Sequence, residues 1–300
     1  MGVGYIFGVF IHPGFFVMVF RFSRAPLLVL VLLVLGGLPR LVGAGEVARF
    51  DHSSVRLLDG GVIGAERFAG VEILLGEGWK TYWRVPGEAG QPPLFDFSAS
   101  RNLKSASVLW PAPKRYADPE AGEAIGYKGR VVFPVRVAAV DPGRPVELRL
   151  RLDYALCNEI CIPARAEVAL TLPAGATGSG GGNGLVREFL SRVPGPAGDE
   201  LRISSAVMRA GDAKHPFKLV VKLRGKALAG LDEAARVDMF VEGPPLAHFC
   251  HPRLIEAADG KASYYLPVDG IEKLDELKGE KLKITVTLGE RSIEQEVTVP

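Results

Sequence analysis

The chain has 300 residues, 48% of them hydrophobic, enough for about two packed domains. Its 36 glycines and 22 prolines favour short strands and turns over long helices. Removing the three arginines of residues 1–44 from the 36 basic residues leaves 33 against 34 acidic ones, a balance with no electrostatic footprint for nucleic acid.

The N-terminus has the layout of an export signal. Arg21 and Arg24 precede an uninterrupted apolar run from Ala25 to Leu35, and Val42-Gly43-Ala44 supplies the small residues of a cleavage site. Residues 1–44 are therefore expected to be a signal peptide. Residues 1–17 carry no charge and a His12-Pro13-Gly14 break, which makes Met18 the better start. The competing reading is an uncleaved anchor, but the apolar run is short for a span of about 20 residues. After residue 45 no stretch is long and apolar enough to cross a bilayer, so a soluble mature chain is expected.

From Val55 onward apolar residues alternate, as in Val71, Ile73 and Leu75 and again in Val131, Phe133, Val135 and Val137. The pattern stops at Pro173. Ala174 to Gly184 has flexible-linker composition, and Leu185 to Val193 predicts one short helix ended by Pro194-Gly195-Pro196. Alternation resumes at Leu201 and ends in a hairpin around Gly289-Glu290. The expected fold is all-β: a first immunoglobulin-like β-sandwich over 45–173, a linker with a short helix over 174–198, and a second β-sandwich over 199–300.

Cys157 and Cys161 lie between two alternating runs. An extended strand would hold their Cα atoms roughly 13 Å apart, beyond the reach of a disulfide, so the chain must turn between them. A three-residue loop, Asn158-Glu159-Ile160, sets Cys157 against Cys161. The register then follows. Leu156 meets Ile162, Tyr154 meets Ala164, Leu152 meets Ala166, and the row continues to Val146 and Leu172, apolar throughout. On the other face Asp153 meets Arg165 and Arg151 meets Glu167, whereas a slip of two residues would oppose like charges. Both cysteines fall on the face away from the apolar row, at the tip, where a partner would reach them.

A bridge around so short a loop contributes only about 2 kcal/mol in the chain-entropy model. Spacing alone leaves a redox couple and a structural staple both open. No Lys or His neighbours either thiol in sequence, and Glu159 and Asp153 are near, so no thiolate stabilisation is visible.

The runs Gly78-Trp79-Lys80-Thr81-Tyr82-Trp83-Arg84-Val85-Pro86-Gly87 and Gly90-Gln91-Pro92-Pro93 resemble the N-terminal periplasmic domain of the thiol:disulfide interchange protein DsbD and its ScsB-like relatives. So do Trp110-Pro111-Ala112-Pro113, Gly126-Tyr127-Lys128-Gly129 and Cys157-Asn158-Glu159-Ile160-Cys161-Ile162-Pro163. The resemblance runs in order over about residues 50–172, and more loosely over the second domain. It implies a periplasmic, immunoglobulin-like domain whose redox couple is Cys157 and Cys161, the second forming mixed disulfides. It also implies a capping segment, roughly Arg115 to Gly129, with Tyr116, Ile125 and Tyr127 as lid candidates. Trp79 and Tyr82 are candidate partner contacts, although strand aromatics are more often core. Partners implied are a membrane electron carrier and thioredoxin-like periplasmic thiol proteins. The sequence ends at Pro300 without such a carrier, so a separate one is expected. The C-x₃-C spacing follows the ScsB branch and is shorter than that of DsbD.

His248, Cys250 and His251 offer ligand types suited to copper or zinc, yet one short turn is too few ligands for a full site, and a free thiol is the expectation. No G-x-S-x-G or H-E-x-x-H arrangement occurs, and His52 is the only histidine of the first domain. No cofactor and no small-molecule substrate are expected. The sequence-based reading is a periplasmic thiol–disulfide relay protein, with a Cu(I)-binding or copper-tolerance protein and a non-catalytic adaptor with a structural disulfide as alternatives.

Overall fold

A computed structural model describes residues 46–88, 90–118, 122–175, 181–229 and 237–300. The expected signal peptide and its cleavage site lie outside the described residues, as does part of the glycine-rich linker. Among the described residues no helix is long and apolar enough to cross a membrane.

The alternating runs pair into four sheets that make two β-sandwiches. In the first sandwich, one sheet has the order β1 (Val47–Phe50), β2 (Ser53–Ile63), β3 (Glu66–Leu75), β9 (Arg130–Ala139) and β6 (Leu103–Val108). The facing sheet runs β11 (Cys161–Leu172), β10 (Val146–Cys157), β4 (Lys80–Gly87), β8 (Gly122–Lys128) and β7 (Lys114–Asp118), with β5 (Leu94–Asp96) paired to β10. Val55, Val71, Ile73, Val131, Phe133, Leu148, Leu152 and Trp83 are buried between them, the period-2 positions that sequence alternation selects.

The second sandwich packs β12 (Gly195–Pro196), β20 (Arg291–Thr298), β19 (Lys281–Leu288) and β15 (Val237–Glu242) against β13 (Arg202–Ala210), β14 (Phe217–Arg224), β18 (Lys261–Asp269) and β16 (His248–Phe249). A further strand, β17 (Arg253–Ala258), pairs with β18. Leu219, Val221, Met239, Leu266, Ile284 and Val286 fill its separate core.

Helix α1 (Asn183–Leu190) is attached to the first sandwich: Val186 and Phe189 are buried in that core, and the Asn183 amide donates to the Gly60 carbonyl at 2.8 Å. Val186 sits so close to Gly70 that a Cβ there would come within 2.8 Å of it, so the seat needs glycine.

The described residues form one compact unit, and charged and aromatic side chains join the two sandwiches. Phe240 of β15 is 1% exposed, belongs to the first core, and meets Trp83 edge to face with centroids 5.7 Å apart. Such a pair contributes roughly 0.5–1.5 kcal/mol beyond the area it buries. Arg84 stacks on Trp83 and binds Glu242 at 2.6 Å and also Glu294. Arg115 binds Asp238 at 2.8 Å and the Met239 carbonyl at 2.5 Å while stacking on Phe240.

Candidate functional site

The β10–β11 hairpin has the expected register at every position from Val146↔Leu172 to Cys157↔Cys161. The apolar row Leu148, Leu150, Leu152, Tyr154 and Leu156 is buried, and Arg165 binds Asp153 at 2.5 Å on the opposite face. At the tip the Asn158 amide donates to the Ile160 carbonyl at 3.1 Å. The turn brings the cysteine Cα atoms to 4.1 Å, and the two sulfurs are bonded.

The two sulfurs differ in access. Cys161 is exposed, but Cys157 is 1% exposed. The expectation that both cysteines would be reachable is therefore corrected. Cys157 does leave the main core, but β4 lies alongside and covers it. Tyr82, Ala124 and Ala155 form with Cys157 a small apolar cluster on the outer face of the sheet, and Tyr116 packs against it. The Tyr82 hydroxyl donates to Cys157 Sγ at 2.8 Å and lies 3.5 Å from Cys161 Sγ. Thr81 Oγ1 donates to the Ala155 carbonyl at 2.9 Å and fixes β4 against β10.

Lys80 corrects a second expectation. Sequence neighbours gave neither thiol a cation, yet Lys80 is the cross-strand partner of Cys157 and is itself buried. Directly opposed residues of an antiparallel pair project to the same face, about 5 Å apart at Cα. A lysine therefore stands on the cysteine side of the sheet.

The backbone over the site is shaped for Tyr82. Gly90 has φ +136°, and a Cβ there would meet the Tyr82 ring at 2.2–2.5 Å. The backbone at Gly90 thus passes directly over the phenol. Tyr116, carried by the β7–β8 hairpin, packs against the same cluster. Lys128 Nζ lies 4.8 Å from the Tyr116 ring centroid, and burial raises the Tyr116 pKa.

The other expected site residues lie elsewhere. Ile125 and Tyr127 are in the sandwich core, where the Tyr127 hydroxyl donates to the Pro111 carbonyl at 2.8 Å. Strand alternation gives the reason: Ala124 faces the cysteine cluster, so Ile125 faces inward. Trp79 is half-buried and stacks on His52 with centroids 4.0 Å apart. Of the ligand-type residues, His248 Nε2 lies 3.5 Å from Glu88 and His251 Nδ1 lies 3.8 Å from Asp238. Cys250 instead meets Asp269 and His215, from β18 and the β13–β14 turn. His215 and Asp269 lie 35 and 19 residues from Cys250, so spacing alone does not associate them.

An immunoglobulin-like sandwich with a disulfide at a hairpin tip, one sulfur exposed and one covered, defines the class. Residues 62–173 match the family described as thiol:disulfide interchange protein DsbD, N-terminal. Over those residues the chain resembles a DsbD-type N-terminal domain. Among solved structures, the chain is similar to the N-terminal periplasmic domain of ScsB from Proteus mirabilis. The identity is 23% and the TM-score 0.65, over 85% of this chain and 98% of that one. No curated protein matches the chain.

Proposed function

We propose that the chain is a periplasmic thiol–disulfide relay protein that passes electrons through Cys157 and Cys161. The observation that carries this reading is the asymmetry of the pair: one exposed sulfur beside one covered sulfur that accepts a phenol hydrogen bond. A partner thiolate attacks Cys161 Sγ, the sulfur–sulfur bond breaks, and its electron pair leaves on Cys157 Sγ. The Tyr82 hydroxyl, already aimed at that sulfur, stabilises the developing thiolate, and a hydrogen bond to a charged acceptor is stronger than one to a neutral one. The partner's second thiolate then attacks its own sulfur in the mixed disulfide and releases Cys161. Two electrons and two protons have moved from the partner dithiol to the pair, and the reverse sequence reduces an oxidised partner.

Ile160, 65% exposed at the loop tip beside Cys161, offers an apolar contact to a docking partner. In this reading a membrane electron carrier reduces the pair, and thioredoxin-like periplasmic proteins take the electrons. The β7–β8 hairpin with Tyr116 caps the couple. Arg115, next to Tyr116, ties that hairpin to Asp238 and Met239 of the second sandwich. The second sandwich thereby holds the cap in place.

An equilibrium titration of the pair against a thiol redox buffer tests the proposal. A potential above about −300 mV supports a couple that cycles, and one below that value marks a structural bridge.

A further inference from the structure

The second sandwich holds a side-chain cluster that the relay does not use. His215, Cys250 and Asp269 present an imidazole nitrogen, a thiol sulfur and a carboxylate oxygen, all within 4.8 Å of one another. His215 Nδ1 lies 3.0 Å from Asp269 Oδ1, and Cys250 Sγ lies 3.5 Å from Asp269 Oδ2. All three are partly buried and come from three different segments.

Backbone interactions position two of the three. The turn carrying His215 is fixed by Asp212, whose Oδ1 accepts from the Lys214 and His215 amides at 2.9 and 2.8 Å, and the Asp212 amide donates back to the His215 carbonyl. Cys250 is held by its amide, which donates to the Pro267 carbonyl at 2.9 Å, two residues before Asp269 on β18. The separations suit a metal. Zinc bonds of about 2.0–2.3 Å in a tetrahedron set nitrogen, oxygen and sulfur ligands about 3.3–3.8 Å apart. Rotamer adjustments of about an ångström bring this set to that geometry.

We propose that His215, Cys250 and Asp269 bind a divalent transition-metal ion, with zinc the fitting case and solvent as its fourth ligand. The mixed nitrogen, sulfur and oxygen donor set is what zinc accepts, and three protein ligands with one open position is a known zinc arrangement. Binding forms a metal–sulfur bond and breaks the sulfur–hydrogen bond, the thiol proton passing to solvent. Cys250 thiolate and Asp269 carboxylate then neutralise the two positive charges of the ion. Asp269, 3.5 Å from Cys250 Sγ, places a carboxylate beside the thiol and attracts a cation.

The test uses the full chain with Cys157–Cys161 kept oxidised, so that Cys250 is its only free thiol. Zinc chloride is titrated against a competing chelator, and cobalt(II) is added in parallel as a spectroscopic probe. The expected results are one equivalent of zinc, a thiolate-to-cobalt charge-transfer band, and slowed alkylation of Cys250 when zinc is present. Cys250→Ser should abolish the band and weaken zinc by about 100-fold or more, and His215→Ala and Asp269→Asn should each weaken it at least about tenfold. Alkylation protection and the cobalt band are read on the unmutated chain, so they stand even if a variant does not fold. Absence of both the band and the protection overturns the proposal, as does zinc binding unchanged in all three variants.

Discussion

The Tyr82 hydroxyl donates to Cys157 Sγ at 2.8 Å while Cys161, bonded to the same sulfur, is exposed to solvent. Tyr82 is therefore expected to act on the leaving sulfur. Tyr82→Phe removes a hydrogen bond that becomes charge-assisted as the disulfide opens, a loss of about 1.5 kcal/mol, and should slow reduction of the pair by dithiothreitol about tenfold. The variant should keep its fold, because the ring still fills the cluster. An unchanged rate would remove Tyr82 from the mechanism.

Gly90 tests the same relationship from the backbone side. Its φ of +136° and its contact with the Tyr82 ring leave no room for a methyl group. Gly90→Ala should displace either the loop or the phenol and alter the reduction rate. Melting temperature should fall modestly, since the loop lies outside both cores. A variant with wild-type kinetics would show that Tyr82 keeps its position without that glycine.

Arg115 joins the β7–β8 hairpin to the second sandwich, with its side chain 7% exposed and its partners Glu123 and Asp238 24% and 20% exposed. Removing the cation leaves two carboxylates and a carbonyl without it. Discounted for that partial exposure, Arg115→Ala should cost about 2 kcal/mol. Amide exchange should rise over 122–128, and dithiothreitol should reduce the disulfide faster because Tyr116 is less firmly held. Faster exchange with an unchanged reduction rate would separate the hairpin from the chemistry.

The hairpin was legible in the sequence because a strand pair encodes its register residue by residue. Opposing apolar side chains, together with Arg165 against Asp153 and Arg151 against Glu167, admit one alignment, and the structure has it. What covers the cysteines was not legible in that way. Tyr82 and Cys157 are 75 residues apart, and their meeting depends on β4 pairing with β10, which no local pattern specifies. The Lys80 placement follows from the same pairing. Arg115 and Asp238, 123 residues apart, meet only because the two sandwiches pack together. Local alternation also explains why Ile125 and Tyr127 sit in the core while Ala124 faces the cysteines. A capping segment read without its strand phase does not tell one face from the other.

The disulfide should contribute little to stability, since it closes only a three-residue loop between its cysteines. In the chain-entropy model the loss on reduction is about 2 kcal/mol. For a chain of this size that is a melting shift of about 4–8 °C. Calorimetry of the oxidised and reduced protein measures it. A collapse of the fold on reduction would identify the bridge as a staple.

The central claim is that Cys161 exchanges with partners while Cys157 resolves. It is tested most directly by trapping mixed disulfides in cells with single-cysteine variants. Cys157→Ser leaves the exposed Cys161 with no resolving thiol, so covalent complexes should accumulate on non-reducing gels and disappear on reduction. Cys161→Ser leaves only the buried Cys157 and should trap few or none. Complexes from Cys161→Ser alone, or equal yields from both variants, would contradict the account.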